Sequence, residues 1–274
     1  MKVKLGLVGN GFVGGAALQL ECDNNEIHMF DLDENKCVPL GTTLEDVALC
    51  DIILVALPTP QNPDGTCHTN ILEGVVDNLK TINSNANIVV RSTVPPGTSK
   101  RLGTHFMPEF LTEKNSRHDF INSSLWVLGQ NTELEEFHLD TVINNAYEAG
   151  KIASNEMIKM STSEAELVKY VKNCFLGLKV SFFNEVYDTC KEYDCDFELV
   201  RVTSTEDPRI GDSHSFVPGT DGKKGFGGHC FPKDLASWCT WAKDPIIVSA
   251  AVSRNATIDR PEKDWEADKG RAVV

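Results

Sequence analysis

A glycine-rich turn between a short apolar run and a helical pattern constrains the fold of this chain more than any other feature. The apolar, β-rich run Val3 to Val8 leads into Gly9-Asn10-Gly11-Phe12-Val13-Gly14, and a helical pattern follows to about Cys22. The first glycine permits a tight turn, the second lets a pyrophosphate approach the backbone, and the third lets helix and strand pack closely. The pattern predicts a βαβ unit that binds a dinucleotide at a helix N-terminus.

An acidic residue stands where such units select among dinucleotides. Asp31 ends the next predicted strand, which begins at Glu26, and follows Gly11 at the expected spacing of about 20 residues. A carboxylate there hydrogen-bonds the adenosine ribose hydroxyls and repels a 2′-phosphate. We therefore expect NAD rather than NADP. The alternative is a glycine-rich turn with a coincidental aspartate.

The rest of the first half alternates strand-like runs with helical patterns. Residues 51–57 form a continuous apolar run that stops at Pro58-Thr59-Pro60, and further strands are expected at 88–90 and 125–128. Strands separated by helices indicate βαβ units. The sequence predicts an α/β fold with a Rossmann-like, doubly wound parallel sheet.

A long helix is expected to follow the sheet. Ser163-Glu164-Ala165-Glu166 fits a capping box, and no proline interrupts the pattern to about Glu192. The helix then connects the sheet to a small all-helical central domain. We predict an NAD-binding domain at 1–162, the long helix and the central, substrate and dimerisation domain at 163–258, and a C-terminal tail at 259–274.

Composition limits the partners and the compartment. The 26 Lys and Arg residues against 40 Asp and Glu residues give a net charge of −14, which argues against nucleic acid and anionic membranes as partners. No apolar run is long enough to span a bilayer, and the N-terminus does not resemble a secretory signal. The 9 cysteines are scattered without a CxxC pair, so we expect a cytoplasmic protein without disulfides or a metal site.

The second informative segment is Gly225-Phe226-Gly227-Gly228-His229-Cys230-Phe231-Pro232-Lys233-Asp234. Its glycines let the backbone approach a ligand, and Pro232 suits a helix start, so Cys230 is expected near a helix N-terminus, where a thiolate is favoured. Lys223, Lys224 and Lys233 add local positive charge. A structural cysteine beside a phosphate loop is the alternative. A metal at His229 and His214 matches no usual zinc spacing.

Several motifs in order resemble one family. The segments that carry the resemblance are GFGGHCFPKD at 225–234, Ser92-Thr93-Val94-Pro95-Pro96-Gly97-Thr98, Pro108-Glu109-Phe110-Leu111-Thr112-Glu113, and Glu164-Ala165-Glu166-Leu167-Val168-Lys169 with Asn173, Asn184 and Glu185. Together they resemble UDP-glucose 6-dehydrogenase and related nucleotide-sugar dehydrogenases, over about residues 3–258. The chain looks like a short form without the family's C-terminal UDP-binding domain.

The resemblance implies an NAD-dependent enzyme that oxidises a sugar 6-hydroxymethyl to a carboxylate in four electrons, with UDP-glucose the favoured substrate. Cys230 matches the nucleophile that forms a thiohemiacetal and then a thioester. Lys169 and Asn173, one helical turn apart, match an oxyanion-stabilising pair. Asp234 is a candidate to orient Lys169 or a water. Glu109 is the candidate general base, and Thr93 would hold the water or border the nicotinamide.

The resemblance also implies binding residues. For the cofactor it adds Lys36, Pro58, Thr59 and Glu113 to the glycine turn and Asp31. For the substrate it implies Glu109, Phe110, Leu111, Lys169, Asn173, Arg209, Phe226 and Gly227. Arg209 resembles an arginine that reaches a neighbouring subunit's sugar site, which implies a homodimer built around the long helix.

Two departures from the family leave alternatives open. Many members have serine or another small residue where this chain has His229. Without the family's third domain, the nucleotide would be held by the loop 213–228, which carries Lys223 and Lys224, by a partner, or not at all. A two-electron hydroxyacid dehydrogenase of similar fold is one alternative. A nucleotide-sugar-binding protein without turnover is another. The sugar could also be N-acetylmannosamine or mannose.

Overall fold

The computed structural model describes residues 2–132 and 139–274. These residues form two compact units, each with its own core. Unit 1 contains Met1–Thr59 and Thr69–Lys169, and unit 2 contains Pro60–His68 and Tyr170–Val274. The loop between residues 60 and 68 therefore belongs to unit 2, although its neighbours on both sides in the sequence belong to unit 1.

Unit 1 is built around a seven-stranded sheet in the order β2-β1-β3-β4-β5-β6-β7. Every neighbouring pair is parallel except β5 and β6. The strands are β1 (Val3–Val8), β2 (Asn25–Phe30), β3 (Ile52–Val55), β4 (Ile88–Val90), β5 (His105–Phe106), β6 (Trp126–Gln130) and β7 (Met157–Ser161), and the helices are α1 (Phe12–Ala17), α2 (Leu44–Ala48), α3 (Asn70–Ile82), α4 (Thr98–Arg101), α5 (Ser116–Ile121) and α6 (Leu139–Glu148).

The central strands β3 and β4 are buried on both faces, which explains why they are continuously apolar. Leu5 pairs with Ile52 in a core on one face, while Ile53 and Val55 lie in a second core on the other face. Helix α1 covers the first face and α3 the second, so the sheet is doubly wound as predicted. The strand order reverses between β1 and β3, where such sheets bind ligands at the carboxyl ends of their strands.

The long helix α7 (Thr162–Glu192) follows β7 directly and continues from unit 1 into unit 2. Its capping box lies two residues before the predicted one. The Ser161 hydroxyl accepts from the Glu164 N–H at 3.3 Å, and the Glu164 carboxylate accepts from the Ser161 N–H at 2.8 Å. Glu166 instead accepts from the backbone N–H groups of Gly97 and Ser99, at 2.6 and 2.7 Å. The predicted cap at Ser163 and Glu166 is therefore wrong.

Unit 2 continues α7 and adds α8 (Phe197–Thr205), α9 (Phe231–Trp241) and α10 (Ile246–Arg254). A π-helical turn, Asn255–Asp259, extends α10. Tyr170, Cys174, Phe226, Leu235 and Val248 form its core. This all-helical unit confirms the predicted architecture of a long connecting helix followed by helices. Within the two described stretches, no helix has the length and apolar character needed to cross a membrane.

Candidate active site

The glycine turn after β1 has the backbone that a pyrophosphate needs. Gly9 has a φ of +93°, which a side chain would disfavour. A Cβ on Gly14 would overlap the Gly9 carbonyl oxygen, so only glycine allows this helix start to pack against the turn. A Cβ on Gly11, by contrast, would meet nothing within 4 Å. The turn therefore leaves open space at the position where the cofactor backbone would approach.

Asp31 lies directly after β2 and joins the turn through Asn10. The Asn10 N–H donates to Asp31 Oδ2 at 2.7 Å, and its side-chain amide donates to the Lys36 carbonyl oxygen at 2.7 Å. Asp31 Oδ1 accepts from the Asp33 N–H at 2.9 Å. A carboxylate has about four acceptor positions, so these bonds fix its orientation and leave positions for ribose hydroxyls.

A buried ion pair joins the loop after β5 to helix α7. Lys169 Nζ donates to Glu109 Oε1 at 2.7 Å and to the Glu109 carbonyl oxygen at 2.8 Å. The two side chains are only 4% and 5% exposed. Glu109 Oε2 accepts from the Leu111 N–H at 2.8 Å, and the Lys169 ammonium lies 5.8 Å from the centre of the Phe110 ring.

Opposing effects set the charge of Glu109. Burial alone would raise its pKa, but the Lys169 ammonium, the Leu111 N–H and the buried Arg91 guanidinium together lower it. Glu109 is consequently ionised at neutral pH. Arg91 follows β4 directly, with a side chain that contacts Met107 Sδ at 3.5 Å and the Phe120 ring at 5.4 Å. The sequence reading missed Arg91, although an arginine directly after an apolar strand was a visible signal.

The remaining cofactor candidates of unit 1 lie at strand ends and in one exposed turn. Thr59 is buried, and its hydroxyl donates to the Thr93 carbonyl oxygen at 2.8 Å. This bond ties the loop after β3, which includes Pro58, to the loop after β4. Glu113 begins an exposed 3₁₀ turn, Glu113–Asn115.

Cys230 lies at the N-cap of α9 in unit 2, and Pro232 occupies the first turn, as predicted. Asp234, in the same turn, is 1% exposed. Its Oδ2 accepts from the Asn173 side-chain amide at 2.6 Å, and its Oδ1 accepts from Lys233 Nζ at 2.6 Å. The Asp234 carboxylate thus brings the Asn173 amide and the Lys233 ammonium together at the first turn of α9.

The glycine loop before Cys230 is fastened by a residue that the sequence reading missed. The Asn255 side chain accepts from the Phe226 N–H at 2.8 Å and donates to the Phe226 carbonyl oxygen at 2.9 Å. The Phe226 ring belongs to the core of unit 2. Gly227 lies against the Arg260 guanidinium, which a Cβ would overlap. Both positions, predicted to bind substrate, are held firmly within unit 2.

Two predicted cations are engaged in ion pairs. Lys223 Nζ bonds to Asp264 at 2.7 Å, and Lys224 Nζ bonds to Asp188 at 2.6 Å. Both lysines are thus paired with carboxylates in this structure, and the expectation that they hold the nucleotide phosphates stays a prediction. Arg209 is 87% exposed and pairs with Asp207. Among residues 2–132 and 139–274, no cysteine forms a disulfide, and no His, Cys, Asp and Glu side chains cluster as a metal site requires.

The fold and the glycine turn define a Rossmann-type, nucleotide-binding protein with a helical second unit. Comparison with known families then identifies it further. The NAD-binding domain of the UDP-glucose/GDP-mannose dehydrogenase family matches residues 38–151, and the central domain of the same family matches residues 163–257. The chain belongs to the UDP-glucose/GDP-mannose dehydrogenase family.

Individual relatives agree with this assignment. The chain is 34% identical over 202 residues to a putative UDP-glucose 6-dehydrogenase, YtcA, of Bacillus subtilis, covering 68% of this chain and 45% of that protein. It is 26% identical over 268 residues to the UDP-glucose 6-dehydrogenase of Campylobacter jejuni, covering 85% and 66%. A UDP-glucose dehydrogenase structure from Pyrobaculum islandicum matches with a TM-score of 0.77 at 25% identity, covering 93% and 68%. The chain thus spans about half to two thirds of these relatives.

The residues of unit 1 fit NAD, the cofactor of the matched domain. The open space at Gly11 would accommodate the pyrophosphate, and the remaining acceptor positions of Asp31 suit the adenosine ribose. When bound, NAD supplies a two-electron hydride acceptor.

Proposed function

We propose that this chain catalyses the NAD-dependent, four-electron oxidation of a nucleotide-sugar 6-hydroxymethyl group to a carboxylate, with UDP-glucose converted to UDP-glucuronate. The observation that carries the proposal is Cys230 at the N-cap of α9, followed within one turn by Lys233 and Asp234. A helix N-terminus and a nearby ammonium both favour a thiolate. A single two-electron oxidation of an alcohol needs no such nucleophile.

The thiol lets a single enzyme perform both oxidations without releasing the aldehyde. After the first oxidation, the Cys230 sulfur bonds to the aldehyde carbon, and a proton joins the aldehyde oxygen to give a thiohemiacetal. Loss of a hydride from that carbon and a proton from that oxygen leaves a thioester. Water then adds to the thioester carbon, and the carbon–sulfur bond breaks to give the carboxylate and free Cys230.

The other assigned groups manage charge and protons. Lys169 and Asn173, one turn apart on α7, are the proposed donors to the substrate oxygen as negative charge develops there. Asp234 fixes the Asn173 amide, which orients that donor. Glu109, ionised because of its ion pair with Lys169, is the proposed acceptor for the proton of the hydrolytic water, with Thr93 as the residue that holds this water.

A homodimer through the long helix belongs to the same proposal. Val171, Phe175 and Phe182 lie along α7 in unit 2 and are 49%, 63% and 62% exposed. Large apolar side chains in one stripe of a helix are typical of a surface that another subunit covers. Arg209 is the proposed contribution of each subunit to its partner's sugar site.

The test is a count of NADH formed for each sugar consumed. The purified chain would be mixed with NAD and limiting UDP-glucose, UDP-N-acetylmannosamine or GDP-mannose, with NADH followed by absorbance. We expect two NADH for each UDP-glucose. Cys230→Ser should form no carboxylate product, whereas Cys195→Ser, which alters an exposed thiol, should match the unaltered chain.

The outcomes separate the alternatives. One NADH for each substrate molecule would indicate a two-electron dehydrogenase. Binding of nucleotide sugars without any NADH would indicate a binding protein. Normal carboxylate formation by Cys230→Ser would refute the covalent role of the thiol.

A further inference from the structure

A second thiol of unit 2, Cys67, has no role in the proposed reaction. It lies in the loop Pro60–His68, where it forms an antiparallel bridge with Gln61. Gln61 is bridged in turn to Val273, so the loop is held on its other side as well. The Asn62 N–H donates to the Thr66 carbonyl oxygen at 2.8 Å and closes the turn. These bonds fix the position of Cys67 on a short hairpin.

This hairpin packs on helix α9, the helix that Cys230 caps. The Gly65 backbone approaches so closely that a Cβ on it would lie 3.4 Å from Thr240 Cγ2 and 3.7 Å from the Ala236 carbonyl oxygen. Thr240, Ala236 and Lys233 are four and three residues apart, so they follow one face of α9 towards its N-terminus. Cys67 follows Gly65 by two residues on the hairpin that contacts this face.

The buried ammonium of Lys233 indicates that both sulfur atoms are close to it. Its side chain is 11% exposed, and burial alone would lower its pKa. Negative charge on Asp234, Cys67 and Cys230 more than offsets that effect and raises the pKa. Burial raises the pKa of Tyr170, and negative charge on Cys67 raises it further. The Tyr170 hydroxyl is hydrogen-bonded to the Ser237 hydroxyl of α9 at 3.0 Å.

We propose that Cys67 is the resolving cysteine for Cys230, so that a hydroperoxide converts the two thiols into a disulfide. The Cys230 thiolate attacks the hydroperoxide, the oxygen–oxygen bond breaks, and a sulfenic acid and an alcohol or water form. The Cys67 thiolate then attacks the sulfenic sulfur, and hydroxide leaves, taking up a proton as water. Each disulfide consumes one hydroperoxide, and a dithiol reductant restores both thiols.

Two features of the cluster suit this chemistry. Both thiols are half-buried, so a small oxidant can reach them, and the Lys233 ammonium stabilises their thiolates. A disulfide at Cys230 would block the nucleophile reversibly, whereas further oxidation to a sulfinic acid would destroy it. Loss of activity on oxidation rests on the proposed function; disulfide formation itself does not.

The experiment treats the intact chain with titrated hydrogen peroxide, blocks the remaining thiols, and maps peptides by mass spectrometry without reduction. We expect a cross-linked peptide that joins Cys67 to Cys230 and lacks two hydrogen atoms. In Cys67→Ser this peptide is lost and Cys230 proceeds to sulfinic acid. Cys239→Ser, which alters another half-buried thiol on α9, should keep the cross-link.

Activity gives the second readout. Peroxide-treated chain should regain its NADH formation with dithiothreitol, while Cys67→Ser, fully active before treatment, should not. The proposal is overturned if peroxide oxidises Cys230 without any Cys67–Cys230 cross-link, or if dithiothreitol restores Cys67→Ser equally well. If no nucleotide sugar yields NADH, the proposed function fails, and the peptide map still decides this inference.

Discussion

Replacing Lys169 by methionine tests the buried ion pair of unit 1 most directly. Methionine keeps much of the side-chain volume and removes both hydrogen bonds to Glu109. Because Glu109 is 5% exposed, its carboxylate would remain buried without its counter-ion. Removing one partner of a buried pair costs about 3–5 kcal/mol of unfolding free energy. We expect a loss of that size at neutral pH, measured by urea unfolding followed by circular dichroism.

A double-mutant cycle isolates the interaction from the loss of packing. Glu109→Gln alone leaves the Lys169 ammonium buried without this counter-ion, and should lower the free energy of unfolding by about 3 kcal/mol or more. The double variant removes both charges, so its loss should fall short of the sum by at least about 2 kcal/mol. Additive losses would refute the view that these two charges stabilise each other.

The pH dependence of the unfolding free energy supplies a second check, because the contribution of Glu109 has opposite signs in the unaltered chain and in Lys169→Met. In the unaltered chain the lowered pKa of Glu109 contributes stability that is present above its unfolded value and is lost as the pH falls through its folded value. In Lys169→Met burial dominates and raises that pKa, so lowering the pH protonates Glu109 and restores stability. The gap between the two proteins should narrow from about pH 7.5 to about pH 5.5. A constant gap would contradict this reasoning.

Three further predictions concern unit 1. Burial lowers the pKa of His105 to about 4, so the free energy of unfolding should fall as the pH drops below about 6.5, by about 1.4 kcal/mol at pH 5.5. In urea unfolding, His105→Asn should remove this loss, whereas the exposed control His118→Asn should retain it. Glu166→Gln should cost about 1–3 kcal/mol in thermal unfolding, because one amide oxygen replaces a carboxylate that holds two N–H groups. Gly14→Ala should abolish NAD binding by calorimetry, since its Cβ overlaps the turn; unchanged affinity would count against the assigned cofactor site.

The strands and the long helix were predictable because their patterns are local. The apolar runs of β1 and β4 end at the residues where the structure ends them, since glycine and polar residues punctuate them. The placement of Cys230 at a helix N-terminus followed from Pro232 in the same way. Predicted domain boundaries and the roles of the site residues remain predictions.

The failures came from choices that only tertiary packing makes. Two Ser-x-x-Glu patterns overlap at the start of α7, one from Ser161 and one from Ser163, and local sequence cannot choose between them. The structure has the cap at Ser161, because the Glu166 carboxylate accepts a hydrogen bond from the Gly97 N–H instead. The carboxylates that pair with Lys223 and Lys224 lie 41 and 36 residues away in the sequence. Local sequence therefore could not predict these ion pairs.

The hairpin at residues 60–68 has a consequence for how the polypeptide can be divided. It leaves unit 1 after Thr59 and returns at Thr69, and its Gln61 backbone pairs with Ala272 and Val274. A fragment that ends before α7 would therefore contain residues 60–68 without the rest of unit 2, and a fragment that begins at α7 would lack them. During synthesis this pairing must wait until residues 272–274 have emerged, so the helical unit is completed by joining two segments that lie far apart in the sequence.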